Sequence, residues 1–101
     1  MAFKFTKTKY SPIELGELGS FAPTMTVERR LRVQTAKFDT PENALEAIKV
    51  MAACFDEHAE EVEKFFQDVD ILQCYKLQGY LIGGDAVLEE ANALDELYKK
   101  G

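Results

Sequence analysis

From Thr40 onward the apolar positions of this chain recur at helical spacing; before it they do not. Leu45, Ile48, Ala52 and Phe55 fall three or four residues apart, and Ala44, Ala47 and Met51 widen the stripe. One face of a helix starting at Thr40 is therefore apolar enough to be mostly buried. Thr40-Pro41-Glu42 supplies its start: a hydroxyl cap, a proline where the missing N–H costs nothing, and an acid that complements the helix dipole. Asp56 is expected to cap a second helix, with Ala59, Val62, Phe65 and Phe66 inward and Glu57, Glu60, Glu61 and Glu63 outward. Glu60 and Lys64 stand at i, i+4 and support it. Asp68 is expected to cap a third, whose apolar side carries Ile71, Leu72, Tyr75 and Ile82, and Gly83-Gly84 ends it. Asp85 then opens a helix with Val87, Leu88, Ala91, Leu94 and Tyr98 on one side, and the cations Lys99-Lys100 suit its C-terminus.

Residues 1–26 have a different texture and read as an N-terminal arm. Phe3, Phe5 and Tyr10 lie near alternate positions with Thr and Lys between them, as in a short edge strand. Pro12, Gly16, Gly19 and Pro23 then break any long element. Phe3, Phe5, Ile13, Leu15, Leu18 and Phe21 are too many apolar groups for a free tail, so they should cover this domain's helices or a neighbour. Thr26 to Phe38 reads two ways. Thr26 can cap a helix with Val27 and Leu31 on one face, whereas Leu31, Val33 and Thr35 alternate with polar residues as in a strand; the helix is favoured. Connections of about two to five residues imply antiparallel neighbours. The expected fold is mainly α: a small antiparallel bundle of four to five helices over 27–101, with an irregular or short-strand N-terminal arm.

The 101 residues suffice for one modest core. Apolar residues at 47% and charged residues at 30% separate the chain from disordered sequences. No apolar run is long enough to cross a bilayer, and no apolar block follows the basic start as a secretory signal requires. A cytoplasmic protein without membrane contact is expected, with Cys54 and Cys74 reduced. The net charge of −6 is unevenly spread. Residues 1–37 hold seven basic and three acidic side chains, and residues 38–101 hold five basic and fifteen acidic ones. The acidic half disfavours nucleic acid, since phosphate would be repelled. Opposed halves suit head-to-tail docking between copies or a basic partner, and an acidic face also keeps a protein soluble.

Catalytic and metal chemistry is poorly supplied. Cys54, His58 and Cys74 are three ligands at most, short of the four of structural zinc, and Asp56 interrupts the helix between two of them. His58 is the only imidazole and stands among Glu57, Glu60 and Glu61; a thiol nucleophile needs a base that is itself oriented. Gly83-Gly84-Asp85 lacks the lysine of a phosphate loop. No catalytic residue, metal or cofactor is expected, and the function should be protein binding. Arg29, Arg30 and Arg32 form the one basic cluster, suited to partner docking more than to nucleic acid. Of Phe65, Phe66, Tyr75, Tyr80 and Tyr98, most should be core, with one or two left as interface anchors.

The stretch Phe38-Asp39-Thr40-Pro41-Glu42-Asn43-Ala44-Leu45-Glu46-Ala47-Ile48, the run through Cys54-Phe55, the acidic helix through Val62-Glu63-Lys64-Phe65-Phe66 and the segment Asp68-Val69-Asp70-Ile71-Leu72 to Gly83-Gly84 together resemble the small tail assembly chaperones of long-tailed bacteriophages. The resemblance spans roughly residues 38–98 and rests on texture, size and acidity, not on an invariant motif. It implies a non-enzymatic protein of the bacterial host cytoplasm, absent from the finished virion. Such a protein coats the long apolar tape measure protein and brings tail tube subunits to it. It also implies a frameshifted longer product, for which Lys99-Lys100 would be encoded by an adenine-rich slippery run. The arm residues Phe3, Phe5 and Phe21, the basic cluster Arg29, Arg30 and Arg32, and Leu94 and Tyr98 of the last helix are the candidate contact or self-association residues. The alternatives are a small acidic regulatory adaptor for a basic partner and a minor structural component of a phage particle.

Overall fold

The structure, a computed structural model, describes residues 2–90. Four helices follow the arm: α1 (Val27–Gln34), α2 (Pro41–Ala53), α3 (Ala59–Gln67) and α4 (Ile71–Gly83). A fifth, α5, begins at residue 85 and is described through residue 90. Helix α2 packs on α3, and α1 packs on α4 and α2. The core between them holds Val33, Ile48, Met51, Phe55, Val62, Phe66, Leu77, Tyr80 and Leu81, joined by Leu15 and Phe21 from the arm. The protein is a mainly helical bundle with a small sheet at its N-terminal side.

Capping fixes where these helices start. Thr26 Oγ1 accepts from the Arg29 N–H at 3.1 Å, which settles residues 27–34 as helix. Thr40 Oγ1 accepts from the Asn43 N–H at 3.1 Å behind Pro41, so α2 begins at the predicted place. Two expected caps move. Asp70, not Asp68, caps α4: its backbone is extended and its carboxylate accepts from the Gln73 N–H at 3.2 Å. Asp68 instead ends α3, its N–H bonded to the Phe65 carbonyl. Asp56 caps nothing. It takes φ +53 inside a 3-10 turn, Asp56–His58, and α3 starts after it with no side-chain cap.

The arm also differs from expectation. Residues 2–12 have no regular structure, and the strands lie later: β1 (Ile13–Glu14) pairs antiparallel with β2 (Ser20–Phe21), Ile13 opposite Phe21. The alternation at Phe3, Phe5 and Tyr10 finds no partner strand, and Tyr10 turns inward instead. Its ring meets the edge of Tyr80 at 5.5 Å, and its hydroxyl donates to the Leu81 carbonyl at 2.8 Å while accepting from Arg30 at 3.0 Å.

Beside it, Ser11 donates both its N–H (2.7 Å) and its hydroxyl (2.6 Å) to the Asp85 carboxylate. The Asp85 N–H donates back to the Lys9 carbonyl at 2.9 Å, and the Tyr80 hydroxyl donates to the Ser11 carbonyl. Residues 8–11 are thus latched across the α4–α5 corner. Gly84 makes the close approach possible: it takes φ +74, and a Cβ there would sit 2.5 Å from the Lys9 oxygen. Only glycine meets both demands at low cost.

The third apolar stripe is rotated from the expected one. Helix α4 buries Cys74, Leu77, Tyr80 and Leu81, and leaves Ile71, Leu72 and Tyr75 exposed. Gln78 donates to the Val33 and Ala36 carbonyls at 2.9 and 3.3 Å, satisfying the open end of α1 and fixing the angular position of α4.

Two predictions follow from the latch. Gly84→Ala should lower unfolding free energy by about 2 kcal/mol, through strain and the clash with Lys9; a denaturant titration measures it. The second concerns pH. The Ser11 hydroxyl and N–H hold the Asp85 carboxyl below its ordinary range. Its contribution is complete above the usual value of about 3.9 and lost as pH falls through the depressed one. Tyr80 is pushed up to about 12, by burial first and then by the Asp85 charge. Its contribution is complete below about pH 10 and lost as pH rises from about 10 to about 12. Thermal melts across pH should show both losses, and the Asp85→Asn variant should flatten the acid limb.

Candidate protein-binding groove

The rotation of α4 decides the surface. The Asp70 cap starts the helix so that its first turn and a half points Ile71, Leu72 and Tyr75 outward. Across from them, the first two turns of α2 present Pro41, Ala44, Leu45 and Ile48. Between the two, Phe38 packs its ring edge on Tyr75 with centroids 5.1 Å apart. Phe38, Leu45, Ile48, Val69, Ile71 and Cys74 line a groove of about 310 Å³. Leu45 is 49% exposed, Ile71 44%, Leu72 68% and Tyr75 47%. Large apolar groups this exposed and this close together mark an interaction surface more often than chance.

The rim is mainly acidic. Glu42 stands on α2, and Asp68 and Asp70 alternate with Val69 and Ile71 on the α3–α4 link; all three acids are exposed, with Lys49 the exposed cation on that side of α2. Asp39 lies just before, its carboxyl lowered by the Asn43 amide, which donates to it at 2.7 Å. The groove is therefore apolar at its floor and negative at its edge.

The basic cluster expected from sequence is divided among structural tasks. Arg29 donates to Asp56 Oδ1 at 2.6 Å and to the Thr24 carbonyl at 2.6 Å, and reaches the Cys54 carbonyl at 3.5 Å. The Arg29 guanidinium, helped by Thr24, holds the Asp56 carboxyl below its ordinary range. This pins the arm to the end of α2, where the Thr24 N–H also donates to the Cys54 carbonyl at 2.9 Å. Arg30 supports Tyr10, and its Nε is buried without a hydrogen-bond partner. Arg32 pairs with Glu28 on the surface at 2.5 Å, a contact worth little.

Phe21 is not a contact residue: it is 8% exposed, in the core, with its ring 4.6 Å from His58. Its place opposite Ile13 in the sheet turns it inward. Phe3 and Phe5 are the opposite case, 90% and 96% exposed. Leu94 and Tyr98 lie outside the described residues. The groove residues Leu45 and Ile71, and exposed Leu72 and Tyr75 near them in the chain, belong to stripes that the sequence pattern turns inward. A signal for them existed. Ile71, Leu72 and Tyr75 are continued at helical spacing only by Ile82, whereas Cys74, Leu77 and Leu81 form an unbroken series. The competing stripe Cys74, Leu77, Leu81, spaced three and four apart, is the one the fold buries.

The reactive residues are placed for structure. His58 stands 3.5 Å from both Glu57 and Glu61. Cys54 and Cys74 are free, buried thiols that point at the Val50 and Phe66 carbonyls. Burial pushes both thiols up, which keeps thiolate scarce at neutral pH. Among the described residues no group of three or more His, Cys, Asp or Glu is gathered to hold a metal, and no helix is long and apolar enough to cross a membrane. A second hollow, of about 430 Å³, lies beneath β1 between α3 and α4; its floor is the core itself, Leu15, Phe66, Leu77 and Tyr80. Comparisons with protein-family models, with curated proteins and with solved structures give no match to this chain.

Proposed function

We propose that this protein is a non-enzymatic tail assembly chaperone of a long-tailed bacteriophage. It covers apolar helical stripes of the tape measure protein and brings tail tube subunits to it. The observation that carries the reading is the groove lined by Phe38, Leu45, Ile48, Val69 and Ile71, with Leu45 and Ile71 about half exposed and the Tyr75 ring packed on Phe38. Its two walls are helices, so an amphipathic helix can lie between them with its apolar side down, as in helix-in-groove recognition. A long helical client would otherwise associate through those same stripes. The acidic surface of the coat then keeps neighbouring complexes apart by repulsion. The resemblance of residues 38–98 to such chaperones, and thiols kept inert by burial, point the same way.

A second reading is a regulatory adaptor for a basic partner. The observation in its favour is the exposed acidic run Glu57, Glu60 and Glu61 at the start of α3. Salt separates the two. Charge pairing at an exposed face fades as the Debye length shortens to about 3 Å near 1 M salt, whereas burial of an apolar client persists.

The test is co-expression with the tape measure protein encoded nearby. The wild-type chain should hold it soluble and co-purify with it at high salt. Leu45→Glu and Ile71→Asp should each abolish this, while changing the chain's own stability by no more than about 1 kcal/mol, because both sites are nearly half exposed. A tape measure that stays insoluble beside the folded wild-type chain contradicts the reading.

A further inference from the structure

The least explained part of the molecule is the segment ahead of the latch. Residues 2–9 carry Lys4, Lys7 and Lys9 and no acid. Phe3 and Phe5 are almost fully exposed. Two bare phenylalanines cost solubility unless something covers them. An extended chain puts Phe3 and Phe5 on one side, at the two-residue period of a strand.

The groove is complementary to this segment in both respects. Its lining is apolar but for Gln67, and the exposed acids Glu42, Asp68 and Asp70 directly adjoin the lining residues Pro41, Val69 and Ile71 along the chain. The two features sit at opposite ends of one helix. The arm is anchored beside Asp85, past the C-terminus of α4, and the groove is built on Ile71 at its N-terminus. The 13 residues of α4 separate them by about 20 Å. Residues 2–8 reach about 24 Å when fully stretched, which leaves almost no slack for turning back into the chain's own groove. A neighbouring molecule meets no such limit.

We propose that residues 2–8 of one copy lie in the Phe38–Leu45–Ile71 groove of the next, Phe3 and Phe5 on its floor and the lysines against its acidic rim. The contact joins two different surfaces, so it repeats head to tail and builds chains or rings instead of closed symmetric pairs. The groove is the one assigned to the client above. Arm and client therefore exclude one another, and the chain covers its own binding surface until the client arrives. That competition rests on the chaperone reading; the head-to-tail contact does not, and its test uses the purified chain with no client.

Sedimentation equilibrium of the full chain over a wide concentration range is the measurement. The wild type should rise above the mass of one chain as concentration increases. The double variant Phe3→Ser, Phe5→Ser, altered only where the arm is exposed, should weaken association by about tenfold or more. Leu45→Glu should do the same, and Ile71→Asp gives an independent groove lesion, with circular dichroism checking that each variant is folded. The deciding sample is an equimolar mixture of the arm variant and a groove variant. One retains a good groove and the other a good arm, so the mixture should pair and stop at two chains. A wild type that stays monomeric throughout, as with an arm folded onto its own groove, overturns the proposal. So does association that survives loss of both phenylalanines, or two defective variants that fail to pair when mixed.

Discussion

The arrangement of this molecule depends on the bonds between Ser11 and Asp85. A bundle of short helices leaves its N-terminal side open, and here a strap of chain closes it. Ser11 gives two hydrogen bonds to one carboxylate, and the helix start at Asp85 gives one back to Lys9. Hydrogen bonds to a charged acceptor are worth about twice neutral ones. They bring Tyr10 over Tyr80 and Leu81, and the chain then continues into β1, whose neighbour Leu15 enters the core. On the other side of the strap, residues 2–7 make no hydrogen bond or ion pair among the described residues, and Phe3 and Phe5 are bare. One set of bonds thus separates a structural segment from a free one.

The same economy governs the basic residues. Arg29 and Arg30 are charged groups near the body of the protein, and each reaches an acceptor of the arm, Thr24 for Arg29 and Tyr10 for Arg30, with Arg29 also bonded to Asp56 after α2. Ahead of the latch, residues 2–9 carry exposed Lys4, Lys7 and Lys9 and no acid. Basic charge with bare apolar side chains at one end of α4 thus faces away from exposed acids beside an apolar groove at the other.

The helical class and the starts of α1, α2 and α5 were legible because each is written locally, as a cap, a proline or a glycine pair. Gly83-Gly84 ended α4 where expected, with Gly84 at positive φ. The choice between Asp68 and Asp70 was not legible, since both are good caps and only the packing of α4 on α1, through Gln78 and the end of α1, selects the second. The buried side of α4, Cys74, Leu77, Tyr80 and Leu81, is likewise selected by tertiary packing, which leaves Ile71 at the groove. The role of Asp56 was misread for a related reason: a residue that looks like a cap was recruited by Arg29, 27 positions earlier, and long-range pairing leaves no local mark. Of the arm's phenylalanines, expected to cover this domain's helices or a neighbour, Phe21 covers the core beside its strand partner Ile13, while Phe3 and Phe5 are exposed.

Amide hydrogen exchange, read residue by residue, tests the central role of the latch most directly. The account predicts that the amides of Ser11 and Asp85 are protected nearly as well as those of Val62 and Leu81 in the core, while residues 3–7 of the isolated monomer exchange at the rate of a free peptide. Ser11 and Asp85 amides that exchange as fast as residues 3–7 would contradict it, since the strap would then not be closing the bundle.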